Sequence, residues 1–70
     1  MMTPPYRYEI RSVQRDELTN SISFLREDCA QDAFKTYKEE ENRWIFKSVD
    51  LVRIDLDTNE EVILDTMQWI

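Results

Sequence analysis

The chain has 70 residues, of which 41% are hydrophobic and 34% charged, and its 15 acidic and 9 basic side chains give a formal charge of −6. It has no histidine, no glycine and one cysteine, which excludes a serine–histidine triad, a glycine-rich phosphate loop, an internal disulfide and a zinc site built from cysteine and histidine. We expect one small folded domain over residues 1–70 that is not an enzyme and carries no cofactor and no metal.

The first part of the chain has the two-residue periodicity of half-buried strands. Residues 1–5 contain two adjacent prolines and are expected to form a flexible lead-in. Apolar and charged side chains alternate from Tyr6 to Val13, which predicts the first strand. The stretch 14–20 is polar except for Leu18 and predicts a loop or a loose hairpin connection. A second alternating run predicts a short strand, Ser21–Leu25, antiparallel to the first.

The period then changes to that of a helix. Four apolar residues at the spacing i, i+3, i+4 and i+7 form one stripe: Ala30, Ala33, Phe34 and Tyr37. This stripe predicts a helix over Glu27–Glu41. Carboxylates at a helix C-terminus oppose the helix dipole, so we expect the helix to fray or stop around Glu40, with Asn42 capping its end.

The second half of the chain predicts two longer strands joined by a turn. Trp44–Leu56 is strand-like, but its apolar residues change phase near Ser48–Asp50, as a β-bulge would cause. The alternative is an extended lead-in, Arg43–Phe46, before a separate strand. Asp57–Glu60 predicts a tight turn, in which an asparagine can adopt the left-handed conformation. Glu61–Asp65 predicts the last strand.

The order ββαββ predicts an α+β fold in which one antiparallel sheet carries the helix on one face. The helix stripe is expected to pack on apolar residues of all four strands: Tyr8, Ile10, Phe24, Phe46, Val52, Ile54 and Leu64. The order of the strands in the sheet is left open, because this element order is compatible with several sheets.

Charge is distributed unevenly along the chain. Residues 1–26 contain four basic and three acidic side chains, whereas residues 27–70 contain five basic and twelve acidic ones. An acidic surface on the helix and the C-terminal hairpin is therefore expected to dock on a basic site of another protein. The predicted partner-binding residues are Glu39, Glu40, Glu41, Asp55, Asp57, Glu60 and Glu61.

Docking of this kind would regulate or inhibit the partner. One form of it is nucleic-acid mimicry, in which carboxylates take the place of phosphates in a protein groove. In size and acidity the chain resembles the small accessory proteins of phages and mobile elements, many of which act by stoichiometric binding, including inhibitors of host defence nucleases. The resemblance implies a viral binding protein and assigns a role to no individual residue.

A second hypothesis is a homo-oligomer, in the simplest case a homodimer. The chain ends in an apolar group, Met67, Trp69 and Ile70. These residues either extend the last strand or form an exposed tail, and Trp69 either folds back over the sheet edge or anchors a second subunit or a partner.

A third hypothesis is an oligomeric binder of a small nucleotide-like ligand. Arg7 and Arg11 from two subunits would hold its phosphates while Trp44 or Trp69 stacks on its base. Direct binding of nucleic acid is not expected at a net charge of −6. No apolar run is long enough to span a membrane, and the unpaired Cys29 favours a cytoplasmic location.

Overall fold

The computed structural model describes residues 5–69, so Met1 to Pro4 of the predicted lead-in, and Ile70, lie outside the described residues. The elements are β1 (Tyr6–Gln14), β2 (Thr19–Phe24), α1 (Glu27–Tyr37), a 3₁₀ helix (Glu40–Trp44), β3 (Phe46–Asp55) and β4 (Glu61–Gln68). The four strands form one antiparallel sheet in the order β2-β1-β3-β4. The helix packs on β1, β2 and β3, which confirms the predicted α+β fold.

The helix ends earlier than the sequence pattern suggests. It stops at Tyr37, and the 3₁₀ helix begins at Glu40, so the predicted end at Glu41 is wrong. Carboxylates at a helix C-terminus are unfavourable, and this chain places three of them beyond the last turn instead. The side-chain amide of Asn42 donates a hydrogen bond to the carbonyl of Thr36 (2.6 Å) and thereby satisfies one of the open carbonyls at the helix end.

The predicted phase change in β3 is present, slightly earlier than expected. Gln14 lies opposite Phe46 and Val13 lies opposite Ser48, which leaves Lys47 as the extra residue of a bulge. Before the bulge, Phe46 faces α1. After it, Val49 and Leu51 face α1 and belong to the core cluster.

Two residues of the predicted helix-packed core therefore lie on the other side of the sheet. We call the side covered by α1 the helix face and the other side the open face. Val52 and Ile54 lie on the open face, because they alternate with Val49 and Leu51. They are still buried, with 2% and 5% of their surface exposed, beneath the side chains of neighbouring strands.

The helix face holds the main core. Its buried members come from α1 and the two central strands: Tyr8, Ile10, Ala30, Phe34, Val49 and Leu51. Half-buried residues surround this cluster, among them Phe24, Phe46 and Leu64 from the predicted set. The Tyr37 and Phe46 rings meet edge to face at 5.2 Å. The predicted helical stripe is thus confirmed, and Phe34 lies at its centre.

Candidate protein-docking surface

The predicted partner-binding residues separate into two groups at opposite ends of the sheet. Glu39–Glu41 precede the start of β3, whereas Asp55–Glu61 lie at its end and in the turn that follows. The ten residues of β3 span about 33 Å at the usual rise of a strand, in a molecule whose longest dimension is 43 Å. The seven residues therefore do not form one continuous surface.

Internal ion pairs neutralise part of the acidic charge. Within residues 5–69, six carboxylates lie within ion-pair distance of an arginine or lysine: Glu9, Glu17, Asp28, Glu40, Glu61 and Asp65. Two of these, Glu40 and Glu61, belong to the predicted docking set. Glu40 pairs with Arg43 at 3.0 Å and Glu61 pairs with Arg11 at 2.8 Å. Their charge is thus partly cancelled within the chain.

The end of the sheet that holds Glu39–Glu41 has mixed charge. Besides the pair formed by Arg43, the ammonium group of Lys47 binds Glu17 at 2.8 Å, and Arg15 donates a hydrogen bond to the carbonyl of Arg43 (2.6 Å). Trp44 is 78% exposed, and the Arg43 guanidinium lies 5.4 Å from the centre of its ring. This end combines an exposed aromatic side chain with both signs of charge.

The turn between β3 and β4 is held by its own backbone and by one carboxylate. We call residues Asp55–Glu60 the acidic tip. The amide of Asp55 donates to the carbonyl of Glu60 (2.9 Å), and the amide of Asn59 donates to the carbonyl of Asp55 (2.8 Å). The Asp55 carboxylate accepts the amides of Asp57 (2.8 Å) and Thr58 (3.2 Å). The turn has one fixed shape as a result.

Asn59 has φ 62°, as the sequence pattern predicts for an asparagine at this place in a tight turn. Residues other than glycine enter this left-handed region at a cost, which is smallest for asparagine and aspartate. Asn59 therefore lets a chain without glycine close this turn.

The basic residue nearest to the acidic tip in the sequence, Arg53, places its guanidinium over the ring of Tyr6, 4.5 Å from the ring centre. Within residues 5–69, no lysine or arginine forms an ion pair with Asp55, Asp57 or Glu60. The sequence has no basic residue at all after Arg53. Leu56, at the same turn, is 43% exposed. The acidic tip therefore presents three carboxylates and one apolar side chain to solvent or to a partner.

The arginines of the predicted anion-binding set are engaged inside the chain. Arg11 donates two hydrogen bonds to the carboxylate of Glu61 (2.9 and 2.8 Å) and one to Glu9 (2.9 Å), and Arg7 donates one to Glu9 (3.2 Å). The bonds from Arg11 lower the pKa of Glu61. This network lies on the open face, over Val52, and so helps to exclude water from the Val52 side chain.

Trp44 is far from these arginines. Arg7 lies opposite Ile54, near the end of β3, whereas Trp44 precedes its first residue. One chain therefore does not bring Arg7, Arg11 and Trp44 together, and the predicted ligand site would need contributions from separate subunits.

The apolar C-terminal residues are less exposed than an open tail would be. Met67 belongs to β4 and packs against the core cluster. Trp69 is half-buried, and its amide donates to the carbonyl of Lys47 (2.9 Å), so it follows the sheet. The exposed apolar part of β4 lies earlier, at Val62 and Ile63, which are 44% and 61% exposed. The predicted contribution of Ile70 lies outside the described residues.

The open face also carries two adjoining shallow grooves that meet at Val13. The larger, of about 580 Å³, is lined mainly by hydroxyl, amide and charged residues: Arg11, Ser12, Thr19, Asn20, Ser21 and Asp50. The smaller, of about 400 Å³, is lined by Lys47, Ser48, Gln68 and Trp69. The Asp50 carboxylate already accepts a hydrogen bond from the Thr66 hydroxyl.

Between residues 5 and 69, no helix is both long and apolar enough to cross a membrane. Nor does that part of the chain gather three or more carboxylate or thiol groups in an arrangement that could hold a metal ion.

The chain matches no protein-family model, and it has no significant similarity to a curated protein or a solved structure. Its function must therefore be inferred from its own surfaces.

Proposed function

We propose that this chain is a small acidic, non-catalytic binding protein that docks its acidic tip into a basic site of another protein and thereby regulates or inhibits it. The observation that supports this proposal is the cluster of three carboxylates, Asp55, Asp57 and Glu60, on a fixed turn without any basic partner in residues 5–69.

The acidic tip is favoured over the Glu39–Glu41 end because of its charge. At the Glu39–Glu41 end, Arg43 and Lys47 already balance two carboxylates. At the acidic tip, Asp57 and Glu60 are exposed and neither forms an ion pair within residues 5–69, whereas the half-buried Asp55 carboxylate also accepts two backbone amides of the turn. An excess of one sign of charge attracts a complementary surface over about one Debye length, roughly 8 Å at physiological salt, and raises the rate of encounter.

The fixed shape of the turn also favours binding. Ordering a flexible loop on a partner costs conformational entropy, and a turn that is already ordered avoids most of that cost. The hydrogen bonds to the Asp55 backbone and side chain hold the backbone that carries Asp57 and Glu60 in place before any partner arrives.

The contribution of the charges alone is limited. An exposed ion pair changes affinity by about 1.5-fold to about fivefold, so three pairs together give about threefold to about 100-fold. The rest of the affinity must come from contacts that exclude water, for which the exposed Leu56 is available at the acidic tip. If the basic site of the partner normally binds nucleic acid, the tip would compete with phosphates for it.

The proposal can be tested with two charge-reversed variants. Asp57→Lys/Glu60→Lys reverses the acidic tip, and Glu39→Lys/Glu41→Lys makes the same change in net charge at the other end. Each protein is immobilised and exposed to a lysate at low salt, and bound proteins are eluted between about 50 and about 500 mM NaCl. Partners retained by the unchanged chain are then measured individually against both variants.

We expect the tip variant to bind at least about tenfold more weakly and the control variant to bind like the unchanged chain. Equal losses in both variants would mean that only net charge matters. Unchanged binding by both would remove the acidic tip from the interface. Either result would overturn the proposal.

A further inference from the structure

Strand β4 forms an open edge of the sheet. Within residues 5–69 its only strand neighbour is β3. Two backbone hydrogen bonds between β3 and β4, from the amide of Trp69 to the carbonyl of Lys47 and from the amide of Asp55 to the carbonyl of Glu60, show which residues of β4 direct their N–H groups toward β3. The two bonds lie on either side of a bulge at Leu64, where β4 has one extra residue. By the alternation of antiparallel pairing, the backbone N–H groups of Ile63, Thr66 and Gln68 point away from β3.

Apolar side chains near this edge remain partly exposed to solvent. Helix α1 packs mainly on β1, β2 and β3 and leaves Val62, on the helix face of β4, 44% exposed. Ile63 lies on the open face, opposite Val52, and is 61% exposed. The chain exposes eight large apolar side chains and buries eight apolar residues in its core, counted over residues 5–69. So small a core gives marginal stability, which additional burial at this edge would raise.

Local charge is compatible with a second copy of the same strand, despite the net charge of −6. The two acids of β4 are both paired within the chain, Glu61 with Arg11 at 2.8 Å and Asp65 with Lys38 at 2.8 Å. In an antiparallel pair of β4 strands, the two acidic tips would lie at opposite ends of the joint sheet. Their separation would exceed the Debye length of about 8 Å, so they would repel each other little.

We propose that β4 pairs with β4 of a second copy, antiparallel and about a twofold axis, to give one continuous eight-stranded sheet. Such an interface is self-complementary, because the same backbone groups serve both subunits. An edge of this length buries roughly 500 Å² per subunit, close to the lower limit of a specific interface. The bulge at Leu64 further limits the ladder. The dimer is therefore weak, with a dissociation constant on the order of tens of micromolar.

Sedimentation of the full chain from about 5 to about 500 µM tests this inference. Ile63→Pro removes an outward N–H from β4. Ser21→Pro is the matched control, because Ser21 holds the equivalent outward position on β2, the other edge. Ile63→Lys is a second variant, which keeps the N–H but places an unpaired charge at the β4 edge. Far-ultraviolet circular dichroism establishes that each variant is folded.

We expect the unchanged chain and Ser21→Pro to dimerise with the same dissociation constant, and both Ile63 variants to weaken the dimer by at least about tenfold. A monomer throughout the concentration range would overturn the inference. So would a dimer that persists in a folded Ile63 variant, or one that Ser21→Pro weakens equally. The Asp57→Lys/Glu60→Lys variant is expected to dimerise normally, which separates this inference from the proposed function.

Discussion

Truncating Val52 tests whether the open face has a small core of its own from which water is excluded. Val52 is 2% exposed although α1 lies on the other side of the sheet, and the Arg11 network lies above it. Val52→Ala removes the equivalent of two methylene groups at about 0.8 kcal/mol each and leaves a small cavity. We therefore expect a loss of about 2 kcal/mol in the free energy of unfolding. For a domain of this size, this corresponds to a fall of about 8–16 °C in Tm.

The matched control is Ile63→Ala. Ile63 lies directly opposite Val52 on β4 but is 61% exposed, so its truncation is expected to cost less than about 0.5 kcal/mol. Urea unfolding of both variants at pH 7, followed by circular dichroism, measures the two costs. A loss below about 0.5 kcal/mol for Val52→Ala would refute the reasoning, because it would mean that water already reaches Val52 in the folded chain.

Three further predictions concern the core, the turn and the ion pairs. Phe34→Ala, at the centre of the core, should cost about 3–5 kcal/mol and leave the chain largely unfolded at 25 °C, measured by circular dichroism. Asn59→Ala should cost about 1–2 kcal/mol in urea unfolding because of its positive φ, whereas Asn59→Gly should retain full stability. Arg11 lowers the pKa of Glu61 below its ordinary value of 4.5. The stabilisation from this pair should thus be complete above about pH 4.5 and disappear as the pH falls through the lower pKa of the folded state. The difference in urea midpoint between Arg11→Met and the unchanged chain should accordingly be smaller at pH 3 than at pH 7, and an equal difference at both would assign it to packing.

The elements with a regular local pattern could be predicted from the sequence. Alternation of apolar and polar residues marks β1, and the stripe that contains Phe34 marks α1, because each pattern reflects burial on one side of one element. The tight turn with Asn59 follows from the conformational preference of a single residue type. These features need no information about distant parts of the chain.

Features that depend on distant contacts could not be predicted in the same way. The bulge at Lys47 has no characteristic residue type, so the sequence pattern alone predicts the wrong face of the sheet for Val52 and Ile54. Arg11 and Glu61 are 50 positions apart, and only the strand order brings them together through β3. The separation of Glu39–Glu41 from the acidic tip likewise follows from the direction of β3 and not from sequence distance.

The bulge at Lys47 lets three apolar side chains at an uneven spacing share one face of β3. Because side chains alternate with a period of two, Phe46 would face away from Val49 and Leu51 if β3 were a regular strand of the same length. Deleting Lys47 would place Phe46 two positions before Val49, so the shortened strand should keep Phe46 beside Tyr37, and Val49 and Leu51 inside, without a bulge.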